Sequence, residues 1–154
     1  MDAETIVTES GVVLPKLANP TGDLGHGFQT GNLLFISYKG PHSTTGKVGQ
    51  NISVEDAYEY SREIGLYLLS AIQHDLGSLN NVARVVKVIG LVNSDPSFIH
   101  HPKVIEGCSD LFDEIFGETE KDSRIAVGVS SLPDNMPVEI EAVVEVRTPC
   151  KIAS

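Results

Sequence analysis

The 154-residue chain is 41% apolar and 21% charged, an ordinary balance for a globular protein with one hydrophobic core, so residues 1–154 read as a single domain. Its formal charge of −10 speaks against nucleic-acid binding, which draws most of its affinity from Lys and Arg set against phosphates, and no basic cluster compensates. The sequence holds no run of about 18 apolar residues, no basic-start signal peptide and only two cysteines, Cys108 and Cys150; the expectation is a cytoplasmic protein without membrane contact or disulfides.

Up to about Leu33 the chain is rich in Gly, Pro and Asn and reads as short strands and loops. Gly31-Asn-Leu-Leu-Phe-Ile-Ser37 predicts a buried strand entered through a turn, and Pro41 to Val48 a polar loop. Ser53, with Asp56 three residues later in a capping-box arrangement, opens a helix whose apolar stripe is Ala57, Ile64, Leu68, Ala71 and Ile72. Gly77 ends it. Val82 to Val92 is nearly continuous in β-branched residues, as a central strand requires.

Pro102 suits the first position of a second helix, where Val104, Ile105, Cys108, Leu111, Phe112, Ile115 and Phe116 recur at helical spacing before Gly117. The last segment reads as a hairpin. Its first strand opens at Arg124, its loop centres near Pro133, and its second strand alternates Val138, Ile140, Ala142 and Val144 with Glu139, Glu141 and Glu145. The order β-β-α-β-α-β-β implies an α+β sandwich, a mixed sheet with two helices on one face. Its second face, only partly polar, calls for a partner, so an oligomer is expected.

The string Ser123-Arg-x-Ala-Val-x-Val-x-x-Leu-Pro-x-x-x-x-Val-Glu-Ile-Glu-Ala142 strongly resembles the C-terminal signature of the RidA/YjgF family of imine and enamine deaminases. Two further blocks agree: Gly31 to Pro41 followed by Thr45-Gly-Lys-Val48, and the helix, Gly77 turn and strand ending Val88-Ile-Gly-Leu-Val92. The stretch Val92-Asn-Ser-Asp-Pro-Ser-Phe-Ile-His-His-Pro-Lys-Val104 is similar to a longer subgroup carrying an insertion before the second helix. The resemblance implies a chorismate-mutase-like fold, a homotrimer with small-carboxylate clefts between subunits, no cofactor, and hydrolysis of 2-imino or 2-enamino acids to 2-oxo acids and ammonia. Family members have also been labelled ribonucleases, a label that this chain's charge does not favour.

On that resemblance Arg124 holds the substrate carboxylate, for which its planar, permanently charged guanidinium is suited. Its residue-level alternative is a strand arginine paired with Glu141 or Glu145. Glu139 matches the glutamate that positions water; a solvated strand glutamate is the alternative. Ser37, with the backbone through Tyr38, matches the segment lining the cleft, or simply ends its strand with a hydroxyl bond. The family's early tyrosine has no counterpart: its place falls near Leu24, His26 lies close enough to substitute, and Gly25-His26-Gly27 equally suits a turn. The cysteine two residues after the arginine is Ala126.

In a hairpin centred on Pro133, Arg124 would lie opposite Val143, four strand residues or roughly 13 Å from Glu139, so a shared site would need two subunits. Adjacent His100 and His101 point apart and lack ligand spacing, leaving loop and cap roles and no metal. Cys108 falls on the apolar stripe, and Cys150 in the tail has no base beside it. The other function these residues allow is a trimeric module that binds a 2-oxo acid without turnover.

Overall fold

The computed structural model describes residues 1–17, 26–38, 44–118 and 123–147. Leu24, Gly25, Cys150 and the first part of the polar loop at Pro41 lie outside the described residues.

The chain begins with a helix, α1 (Ala3–Ser10), where the sequence suggested only strands and loops. Asp2 caps it by accepting from the Thr5 N–H at 2.9 Å. Eight residues with Val7 as the buried one are too few for a periodic signal or for stability alone. Tertiary bonds hold α1: the Glu4 carboxylate accepts from the Leu79 N–H at 2.7 Å, Gln73 Nε2 at 3.0 Å and Ser78 Oγ at 3.1 Å.

Strands β1 (Phe28–Thr30) and β2 (Leu33–Tyr38) flank the expected turn, with Gly31 at φ 57°. Helix α2 (Val54–Leu76) starts where the Ser53 hydroxyl accepts from the Asp56 N–H at 3.1 Å and stops at left-handed Gly77. All five residues of its anticipated stripe are buried. β3 (Val82–Asn93) leads into α3 (His101–Phe116), which carries Pro102 in its first turn. Gly107 brings the two long helices into backbone contact, since a Cβ there would lie 2.0 Å from the Tyr58 carbonyl oxygen. No helix of the described residues is long and apolar enough to cross a membrane.

β4 (Ile125–Val129) and β5 (Val138–Val146) do not form a hairpin. The sheet order is β1-β2-β5-β3-β4: β4 runs parallel to β3 at the edge, and β5 lies antiparallel between β2 and β3. The reason lies in the connections. α3 supplies the crossover that a parallel β3–β4 pair needs, while the segment from Ser130 to Pro137 is longer than a tight hairpin turn and can step across β3.

The helices α2 and α3 cover one face, where Val85, Val88, Val92, Val138, Ile140, Ala142 and Val144 lie with at most 1% exposure. The other face carries Glu139, Glu141, Val143 and Glu145 of β5 beside Leu91, Ile89, Lys87 and Arg84 of β3. The expected chorismate-mutase-like α+β architecture is therefore present, with α1 added and the last two strands separated.

Candidate functional site

Arg124 immediately precedes β4. Side chains alternate along a strand, and Ala126, two residues on, packs against the core; Arg124 accordingly points to the helix side. Its Nη2 lies 3.6 Å from Oδ2 of Asp113 on α3, and the two side chains keep 19% and 24% of their exposure. The strand glutamates are not its partners. Glu145 pairs with Arg84 instead, and Glu141 stands on the open face opposite Ile89. The arginine is thus oriented by an aspartate from the neighbouring helix, at the edge of the sheet.

Glu139 is opposite Leu91, which is opposite Val127. Two strand spacings, roughly 10 Å, separate it from β4, and its neighbours Val138 and Ile140 are buried toward the helices. Glu139 consequently leaves the sheet on the open face, away from Arg124. The two do not meet within one chain, although not for the reason a hairpin would have given.

The structure does bring Ser37 near Glu139. Ser37 is exposed and lies opposite Glu141, one diagonal step from Glu139, a spacing of roughly 7–8 Å. Tyr38 points the other way, its ring stacked on Tyr67 of α2 with centroids 4.7 Å apart. Burial, with Tyr67 and Glu63 nearby, pushes its hydroxyl pKa up.

His26 is level with Ser37 rather than with Arg124, because the antiparallel register that pairs Phe28 with Phe35 reaches it two residues on. It precedes β1, at the opposite edge of the sheet from β4. Its backbone N–H donates to Asp75 Oδ1 at 2.8 Å, the Gly27 N–H donates to Oδ2 at 2.6 Å, and its ring stands edge-on to His74 with centroids 4.8 Å apart. The turn is anchored to the end of α2, and one chain does not place it beside Arg124.

One group escaped the sequence reading. Fully buried Asn93 donates from Nδ2 to the carbonyls of Gly46 at 3.2 Å and Met136 at 3.1 Å and to Asn135 Oδ1 at 3.2 Å. Its Oδ1 accepts from Lys47 Nζ at 2.8 Å, and that ammonium also bonds the Ser130 carbonyl. The knot fixes the loop leading to Glu139, in which Asp134 and Asn135 adopt left-handed φ of 57° and 54°. The only signal was a polar residue ending an aliphatic strand. Cys108 is fully buried on the apolar side of α3, as its spacing indicated.

A family model described as "YjgF/chorismate mutase-like, putative endoribonuclease" matches residues 4–145. Protein TCP17 of Trypanosoma cruzi is 36% identical over 143 residues, 89% of each chain. A RutC family protein of Pyrococcus horikoshii is 31% identical over 91% of this chain and 95% of its own. Among solved structures, Atu1372 of Agrobacterium tumefaciens, a protein of unknown function, superposes with a TM-score of 0.80 at 32% identity, covering 95% of this chain and 92% of that one.

Proposed function

This chain belongs to the YjgF/chorismate mutase-like family, and on that premise we propose that it is a cofactor-free hydrolase of 2-imino and 2-enamino acids. The observation that carries the reading is the setting of Arg124. It is kept from the strand glutamates, oriented by Asp113 at 3.6 Å and left 19% exposed at a sheet edge, where its planar fork can take a carboxylate.

Arg124 of one subunit clamps the substrate carboxylate, and Glu139 of a neighbour orients water toward the C=N carbon. The glutamate takes a proton as water adds and returns one to nitrogen, so the carbinolamine collapses to a 2-oxo acid and ammonia. Positioning with proton transfer is sufficient for a substrate already prone to hydrolysis. Assembly as a homotrimer would supply the neighbour. Phe28, Phe35, Ile125 and Val127 of the open face are 71%, 40%, 44% and 42% exposed in the single chain, apolar surface that a second copy would cover. The charge of −10 does not support an RNA substrate.

The test is ammonia release from imines generated in situ by an amino-acid oxidase. Acceleration by wild type, lost in Arg124→Ala and in Glu139→Gln but regained on co-refolding the two variants, is expected from a site shared between subunits. No acceleration by wild type, with 2-oxobutyrate still bound, would replace catalysis by metabolite binding. That outcome has one structural argument: Ala126 gives no polar group beside Arg124.

A further inference from the structure

The residues between β3 and α3 take no part in this chemistry, yet they build a cavity of about 370 Å³ at the ends of β3 and β4, walled in part by Ser94, Asp95, Phe98, His101, Gly128 and Val129. Ser94 is 6% exposed, and its hydroxyl lies 3.4 Å from His101 Nε2. The Phe98 ring stands edge-on to His101 with centroids 5.1 Å apart. Gly128 makes the arrangement fit: a Cβ there would be 2.5 Å from His101 Nε2 and 2.8 Å from Ser94 Oγ. Bare backbone at that position lets the imidazole and hydroxyl reach the edge strand together.

The carboxylate in the cavity wall disfavours anions. Asp95 in its wall is held ionised, its carboxyl down at about 2 by bonds from the Ser97 hydroxyl, the Gln50 amide and the Ser97 N–H. The Lys47 ammonium keeps its charge but stands outside the lining, bonded to Asn93 Oδ1 and the Ser130 carbonyl. An entering carboxylate would meet the Asp95 charge, whereas a neutral polar group would not.

We propose that this cavity binds a small, flat, uncharged carboxamide, its body against Phe98 and its amide hydrogen-bonded to Ser94 and His101. A carboxamide presents donor and acceptor in one plane, which a hydroxyl and an imidazole complement. Apolar walls with a few convergent polar groups, in a volume of roughly 300–1,000 Å³, are the usual form of a small-molecule site. The site is separate from Arg124 and stands whether or not imines are hydrolysed.

The test is a titration with benzamide of protein labelled with ¹⁵N in its histidines, the His101 ring signals being assigned with His101→Gln. Benzamide should shift them saturably, while benzoate at the same concentration leaves them in place. Ser94→Ala should weaken benzamide about three- to tenfold, the loss of one hydrogen bond, and Arg124→Ala should not change it. Absence of a saturable shift, or an equal response to benzoate, overturns the proposal on the wild-type protein alone. A folded Ser94→Ala protein with unaltered affinity overturns it too.

Discussion

The two faces of the sheet are made from the same strands and behave differently. On β5, Val144 points under the helices and is fully buried, while Val143, one residue earlier, stands on the open face opposite Lys87 and Phe35. The covered face is completed within one chain, because α2 and α3 bring their own apolar stripes to it. The open face mixes Phe, Ile and Val with Glu, Lys and Arg and has no cover among the described residues. A continuous aliphatic surface builds a monomer core; a mosaic suits contact with another molecule.

The largest effect should come from opening the covered side. Gly107→Ala puts a methyl where the Tyr58 carbonyl already lies, 2.0 Å from the new Cβ, and backbone on both sides leaves nothing flexible to yield. A loss of about 3 kcal/mol or more is expected, read by urea denaturation. A near-neutral change would show that α2 and α3 can separate without cost.

A matched pair sharpens the contrast. Val144→Ala should cost about 2 kcal/mol through lost burial and a residual cavity. Val143→Ala should stay within about 0.5 kcal/mol in the dilute monomer. Equal costs at all protein concentrations would mean that the open face is already packed within one chain. Ile125→Glu should likewise leave monomer stability within about 0.5 kcal/mol but abolish assembly in light scattering. Its neighbour on the open face is Ile89, so a new carboxylate there would be buried by any partner. An unchanged oligomer would place the interface elsewhere.

The smallest effect is pH-dependent. Asp95 has its carboxyl lowered from 3.8 to about 2, with the Ser97 hydroxyl as the first cause. A depressed folded-state pKa adds stability above the unfolded value and loses it as pH falls from about 4 to about 2. Asp95→Asn should therefore be less stable than wild type at neutral pH, and the difference should vanish near pH 2. A constant difference across that range would assign Asp95 a role other than its charge.

Local chemistry made much of the fold legible. Ser53, Gly77, Pro102 and Gly117 set the ends of the two long helices because caps and breakers act within a few residues. The burial of Ala57, Ile64, Leu68, Cys108 and Leu111 followed from their 3.6-residue spacing. Arg124 and Glu139 stood out through the motif that contains them, but their surroundings did not. Asp113, the ion-pair partner of Arg124, is eleven residues away on another element, and a side-chain pairing of that kind has no sequence period.

What the sequence by itself determined was the identity of the elements after α1, the face that α2 and α3 bury and the family to which the chain belongs. Only the tertiary structure decided which strands are neighbours, that α1 exists, and that Arg124 and Glu139 leave opposite faces of the sheet. The division has a physical cause. Caps, periodicity and turns are settled by contacts a few residues long, whereas β4 could have paired with β5 or β3. The choice rests on the crossover through α3 and on a loop, pinned by buried Asn93, long enough to carry the chain across β3.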